Sequence, residues 1–365
     1  MNGMTLDQER LDRLRLARSQ RIGPVTFRQL LARFGSAGAA LRAVPDLVRR
    51  GGGQGITLAE PEQIEREAAQ VAKLGAQYLM MGDADYPPLL NEIDNAPSVL
   101  ILRGDVSLMH QRCIGIVGAR NASAAACRFA RMIAQDLGRE RIVVVSGLAR
   151  GVDSAAHVGA MAHGTIGVIA SGIDIVFPPE NAALQEQVAN EGLLIAEQPP
   201  GAQPLARNFP YRNRIIAGLA LGTVVVEAAP KSGSLITARL AGEMGREVMA
   251  VPGSPLDPRA QGCNFLIREG ATLVQSAADV VEAISGFDDR MVRQPSLPFS
   301  AMPPEQDVGN RDRAHIHQLL GQAPVPLDEM IRQSGLSPAI VLTVLLEMEL
   351  AGRIARHAGA RISLA

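Results

Sequence analysis

The stretch VVVEAAPKSGSLITARLAGEMG, Val224 to Gly245, sets Lys231 in a small polar loop with Ser232, Gly233 and Ser234. The only other lysine in the chain is Lys73, and arginine carries the remaining fixed positive charge. A lysine, two hydroxyls and a glycine between an apolar run and a helical pattern have the chemistry of a phosphate cradle. The glycine admits close backbone approach and the new helix offers free N–H groups. The loop is not a P-loop, because Gly-x-x-x-x-Gly-Lys-Ser/Thr is absent and Lys231 precedes its glycine.

Shortly upstream, PLARNFPYRNRIIAGLA interleaves Arg207, Arg212 and Arg214 with Phe209 and Tyr211. With no Trp, three Tyr and eight Phe in the chain, an aromatic among arginines is informative. Single-stranded nucleic acid is held this way: guanidinium groups follow phosphates while rings stack on bases, at ~1–3 kcal/mol per base. The plainer alternative makes Phe209 a core residue and one or two of the arginines structural.

A third cluster lies in GIVGARNASAAACRFARMIA, where Gly118, Arg120, Asn121 and Ser123 precede a helical pattern. Exposed N–H groups and the helix dipole favour an anion there; an ordinary helix cap with a surface arginine is the alternative. A dinucleotide site would need Gly-x-Gly-x-x-Gly and a carboxylate closing the second strand. The chain offers Gly115-x-x-Gly118 and ends that strand in Val145-Ser146-Gly147, so no nicotinamide cofactor is expected. In SGLARGVDSAAH, Gly147 and Gly151 flank a turn, and Asp153 or Ser154 is placed to cap the next helix. Asp153 and His157 are four apart, but no nucleophile accompanies them. The remaining histidines form no ligand set, so no metal is expected.

These loops need strands and helices to hold them. CIGIVGA, RIVVVSGLA, GTIGVIASG, LLIAEQ, LGTVVVEAA, REVMAVPGS and ATLVQS read as short buried strands separated by Ala-rich helical stretches. Near-continuous apolar strands alternating with helices imply a parallel sheet covered on both faces. Such a sheet puts its ligand at the C-terminal strand ends, near a reversal of strand order. The preceding residues, about Leu6 to Leu74, read as short helices. RIGPVTFRQLLARFG turns at Gly23-Pro24 and spaces Phe27, Leu30, Leu31 and Phe34 along a helix. Ala84 to Asp105 reads as a Pro-punctuated connector, and Phe287 to Asn310 has linker composition. LDEMIRQSGLSPAIVLTVLLEMELAGR has the form of a helix-turn-helix, with a hairpin wing after Arg353.

The expected division is an N-terminal helical domain with connector over 1–105, a Rossmann-like domain over 106–286, a linker over 287–310 and a winged-helix-like domain over 311–365. Against 37 acidic residues the chain has 36 basic ones, so a nucleic-acid binder here needs a local basic patch. Three scattered cysteines, Cys113, Cys127 and Cys263, form neither a disulfide framework nor a zinc spacing and suit a reducing cytosol. No signal peptide or membrane span is expected.

Taken together, YPPLLNEI, SVLILRGD, GIVGARNAS, VSGLARGVDSAAH, FPYRNRIIAGL, VVVEAAPKSGSLITA and VMAVPGS resemble, in order and over almost the whole chain, the DprA (Smf) family of DNA-processing proteins. The resemblance implies an α/β fold: an extended Rossmann-like, doubly wound, mostly parallel sheet. It adds a small N-terminal helical domain of the SAM or helix-hairpin-helix type and a C-terminal winged-helix-like domain. It further implies binding and protection of single-stranded DNA, loading of the recombinase RecA in natural transformation, a homodimer through the central domain, and no catalysis. Carried over by position, Arg120, Arg212, Arg214 and Lys231 to Ser234 become DNA-contact candidates and Phe209 the candidate stacking residue. Ala119 stands where the family more usually has serine, removing one hydroxyl. The rival class is a nucleotide-processing hydrolase resembling the lysine-decarboxylase-like phosphoribohydrolases. Its PGGxGTxxE loop corresponds here to KSGSLITARL, which has no carboxylate at that spacing.

Overall fold

The structure is a computed structural model and describes residues 6–291, 308–357 and 359–365. The chain divides into two compact units, Met1–Ala68 with Leu297–Ala365, and Ala69–Ser296.

The N-terminal part has four helices: α1 (Gln8–Arg18), α2 (Pro24–Phe34), α3 (Ala37–Arg50) and α4 (Pro61–Lys73). Their ends follow local chemistry. Asp7 accepts from the backbone N–H of Arg10, Pro24 opens α2, Gly35 closes it at φ 73°, and Ser36 caps α3. Phe27 and Leu30 are fully buried, while Leu31 and Phe34 are only partly so.

The second unit holds a nine-stranded sheet. Its elements are β1 (Gln77–Met80), α5 (Pro88–Asn91), β2 (Val99–Gly104), β3 (Cys113–Gly118), α6 (Ala124–Arg139), β4 (Val143–Ser146), α7 (Val152–Ala160) and β5 (Thr165–Gly172). There follow α8 (Ala182–Glu191), β6 (Leu193–Gln198), α9 (Asn208–Leu219), β7 (Gly222–Val226), α10 (Gly233–Glu243), β8 (Glu247–Ala250), α11 (Gln261–Arg268), β9 (Thr272–Leu273) and α12 (Ala277–Met291). The strand order is β1-β2-β6-β5-β4-β3-β7-β8-β9. From β3 the chain winds outward one way through β4, β5 and β6, then returns to build β7, β8 and β9 on the other side. The order therefore reverses between β3 and β7, and a crevice opens at their C-terminal ends. All seven strands expected from the sequence pair in parallel.

β1 and β2 extend that sheet with antiparallel pairing. The segment read as a connector thus contains a sheet strand: the run from Val99 to Leu102 is fully buried and pairs with β6. The 287–310 linker also differs from expectation. Its first residues continue α12, residues 292–307 lie outside the described residues, and a new helix starts at Asn310.

The C-terminal part consists of α13 (Asn310–Leu319), β10 (Val325–Pro326), α14 (Leu327–Ser334), α15 (Pro338–Leu350), β11 (Ile354–His357) and β12 (Arg361–Leu364). Gly335 at φ 64° and the Ser337 cap join α14 to α15 as a helix-turn-helix, and β10, β12 and β11 form the small sheet of a winged helix. Ile316, Met330, Val341, Val344, Leu345, Met348, Ile354 and Ile362 build its core.

Candidate nucleic-acid interface

Two loops border the crevice between β3 and β7. The loop after β3 carries Arg120 and Asn121, both exposed, into α6. The loop after β7 carries Lys231, also exposed, into α10. Parallel pairing of Gly118 with Val226 fixes how closely these loops approach. Gly118 is a packing residue rather than a contact residue. A Cβ there would lie 2.0 Å from the Val226 carbonyl oxygen and 2.6 Å from Val152 Cγ2. Gly151, at φ 74°, likewise lets the loop after β4 rest on the Ala119 carbonyl.

The N-terminus of α6 is partly capped from within the chain. The Ser123 hydroxyl accepts from the Ala126 N–H at 3.1 Å, and the Ser123 N–H donates to Glu227 Oε2 at 2.7 Å. A carboxylate from the end of β7 thus takes one N–H group of the expected anion site, while Arg120 and Asn121 of the same cluster face solvent. At α10 the Ser232 hydroxyl caps the Ser234 N–H at 3.4 Å and lies 2.7 Å from the Ser234 hydroxyl, which is buried. Gly233 faces open space, with nothing within 4 Å of a built Cβ.

The arginine–aromatic segment forms the start of α9 and divides into two groups. Arg207 is exposed and Tyr211 is 59% exposed. Arg212 and Arg214 point inward, which corrects their expected role as phosphate contacts. Arg212 donates through Nη1 to the carbonyls of Gly147 and Val168, latching the end of β4 to the middle of β5. Burial lowers its pKa to about 10, opposed by the charge of Asp153. Arg214, 2% exposed, pairs through Nη2 with Glu197 at the end of β6. Packing decides this: α9 is covered on nearly all sides, and its buried guanidinium groups donate to oxygens of Gly147, Val168 and Glu197.

Phe209 is half-buried and stands at the centre of what remains. The Arg120 guanidinium carbon lies 5.2 Å from its ring centroid and that of Arg212 5.9 Å. Phe177, in the loop after β5, meets it edge-to-face at 5.8 Å and is 41% exposed. The sequence reading missed Phe177. Its signal was an aromatic beside Pro178 at a strand's C-terminal end, in a chain poor in aromatics.

Asp153 and His157 do not pair. The Asp153 carboxylate accepts from the N–H groups of Gly147 and Ala149 at 3.1 and 3.4 Å; burial raises its pKa against the pull of Arg212. Thr165 gives its hydroxyl proton to the Val144 carbonyl, so His157 Nδ1 donates to Thr165 Oγ1 at 2.7 Å. Burial and Arg212 press the His157 pKa down to about 3. Among the described residues no cluster of His, Cys, Asp and Glu could hold a metal ion. Cys113 and Cys263 are buried free thiols, raised to about 12 and about 11 by burial, and Cys127 is also free.

Three family models match. The one described as DNA recombination-mediator protein A covers residues 77–285, a DprA-like N-terminal HHH domain covers 7–69, and a DprA winged helix domain covers 300–360. Protein Smf of Synechocystis is 32% identical over 385 aligned residues, spanning 93% of this chain and 95% of its own length. This chain belongs to the DprA (Smf) family. Other DprA relatives agree: DNA processing protein DprA of Streptococcus pneumoniae is 46% identical over 201 residues, covering 54% of this chain and 71% of the relative. The X-ray structure of the S. pneumoniae DprA matches at a TM-score of 0.62 and 33% identity, covering 76% of this chain and 98% of that one. A DprA structure from Helicobacter pylori, described for its single-stranded DNA binding mode, matches at 0.50 and 26%, covering 59% of this chain and 96% of its own. The family brings a DNA-processing role and the Rossmann-like and winged-helix fold seen here. No helix among the described residues is long and apolar enough to cross a membrane.

Proposed function

We propose that this chain binds single-stranded DNA along the C-terminal edge of its parallel sheet and acts as a non-catalytic mediator that protects the incoming strand and loads the recombinase RecA onto it in natural transformation. The observation that carries this reading is the pairing of two exposed cations, Arg120 and Lys231, on the two loops that border the reversal of strand order, with Phe209 beside Arg120. Phosphates suit the cations, and the exposed rings of Phe177 and Tyr211 suit unstacked bases. The single-stranded DNA binding mode of the H. pylori relative supports the same ligand. The contact set is Arg120, Asn121, Arg207, Phe209 and Lys231 to Gly233, working in the cytoplasm in a homodimer formed through the sheet domain.

The hydrolase alternative has no support at the crevice. The carboxylate there, Glu227, is committed to the Ser123 N–H and stands 3.9 Å from Arg259. A gel shift with single-stranded and duplex oligonucleotides tests the proposal. The expected result is preference for the single strand, with log affinity falling against log salt at about −0.7 per phosphate neutralised. Salt-independent binding, equal affinity for duplex, or turnover of mononucleotides would each overturn it.

A further inference from the structure

Glu227 occupies a position that the DNA-binding reading leaves unexplained. It is the first residue after β7 and adopts φ 58°, in the left-handed region that non-glycine residues rarely visit. Glycine takes that conformation freely. The chain instead keeps a glutamate whose side chain is 11% exposed and turned across the crevice to the Ser123 N–H. In a doubly wound fold the first helix after the switch-point strand is where a phosphate ordinarily docks, on free N–H groups at the positive end of the dipole. Here α6 is that helix, and a carboxylate of the chain already sits on it. On the far side of Glu227, Arg259 approaches Oε1 at 3.9 Å and is itself held by Asp257, with Nη2 to Oδ2 at 2.9 Å. The loops after β3, β7 and β8 are thereby tied through one side chain.

We propose that Glu227 is a positioning and steering residue: its carboxylate is the resident anion on the Ser123 N–H at the start of α6, setting a negative charge against phosphate in the switch-point crevice and leaving the DNA backbone to Arg120 and Lys231. This rests on the single-stranded DNA reading for its consequence, though not for its geometry. A bound strand then meets a negative charge at the crevice floor and cations at its two rims, so it lies across the loops and does not enter the fold.

Two variants of the full chain separate filling from charge. Glu227→Gly frees the helix end and accepts the left-handed backbone without strain. Glu227→Gln fills the same space, and its amide oxygen still accepts from Ser123. In inorganic phosphate, compared with chloride at equal ionic strength, Glu227→Gly is expected to melt higher while wild type and Glu227→Gln do not. Its log–log salt slope for a single-stranded oligonucleotide should steepen by about 0.7, the increment of one further phosphate. Glu227→Gln should keep the wild-type slope and bind roughly 3–10-fold tighter at low salt, from the loss of a like charge. Phosphate-independent melting of Glu227→Gly would overturn the proposal, as would Glu227→Gln binding no tighter than wild type. Should wild type fail to bind the oligonucleotide at all, the DNA reading and the steering role fall together, while the phosphate melts still decide whether the carboxylate occupies the helix end.

Discussion

Four basic residues of similar appearance in the sequence take two different parts. Arg120 and Lys231 stand in solvent, where a phosphate can reach them; Arg212 and Arg214 are shut inside the sheet's C-terminal edge. Arg120→Ala and Lys231→Ala should each weaken single-stranded DNA binding by about 1–2 kcal/mol, the worth of a charge-assisted contact, while thermal melting stays near wild type. Arg212→Ala should behave in the opposite sense. It leaves the Gly147 and Val168 carbonyls and the Asp153 carboxylate without their cation, which costs about 3–5 kcal/mol of stability. A melting curve and a gel shift on each variant check this, and a stable Arg212→Ala that has lost DNA binding would reverse the assignment. The motif FPYRNR was legible as basic and aromatic. Which arginines face water was not, because that depends on oxygens contributed by Gly147, Val168 and Glu197, far away in the sequence.

At the scale of elements, seven strands could be read because each lies in an apolar run bounded by glycine or a polar turn, and β3 to β7 are buried nearly throughout. Their crossover helices then dictate parallel pairing. β1 and β2 escaped because they are short, flanked by prolines, and joined by a connection with only one small helix, a pattern closer to a loop than to a βαβ unit. The glycines show the same limit. Gly118 and Gly233 both precede or open helices that border the crevice, yet a methyl at Gly118 would collide with Val226 and Val152 while one at Gly233 meets nothing. Gly118→Ala must part β3 from β7 and should lower stability by about 2–3 kcal/mol. Gly233→Ala should melt like wild type, within about 1 kcal/mol, and weaken DNA binding if the strand's backbone lies against that loop. A Gly233→Ala protein that melts far below wild type would contradict the open space seen around it.

At the scale of the molecule, the winged helix raises the question of where duplex DNA could bind. In that motif the second helix of the helix-turn-helix enters the major groove, so it needs a free face and basic side chains. α15, PAIVLTVLLEMEL, has no lysine or arginine. One of its faces, through Val341, Val344, Leu345 and Met348, builds the winged-helix core. The other runs through Thr343, Leu346, Glu347 and Leu350 at helical spacing; these are also buried, and α15 packs against α3 and α2 of the same compact unit. The fit is close. Arg21 donates to the Leu350 carbonyl at 3.3 Å, and a Cβ at Gly51 would fall 2.0 Å from the Glu347 carbonyl oxygen. Glu347 is fully buried and held by Arg313 at 2.7 and 3.0 Å, a pair that specifies the packing and offers no charge to a phosphate. The α15 helix is thus docked onto the N-terminal helices, and on the proposed reading DNA recognition falls to the sheet unit. Leu346→Arg, which buries an unpaired cation in that contact, should destabilise the terminal unit by about 3 kcal/mol, read as an early melting transition. Single-stranded DNA affinity should stay within about twofold of wild type, because none of the proposed contact residues lies in that unit. A Leu346→Arg protein with wild-type melting, or one whose duplex affinity collapses while its melting holds, would mean that α15 is free in solution and reads DNA after all.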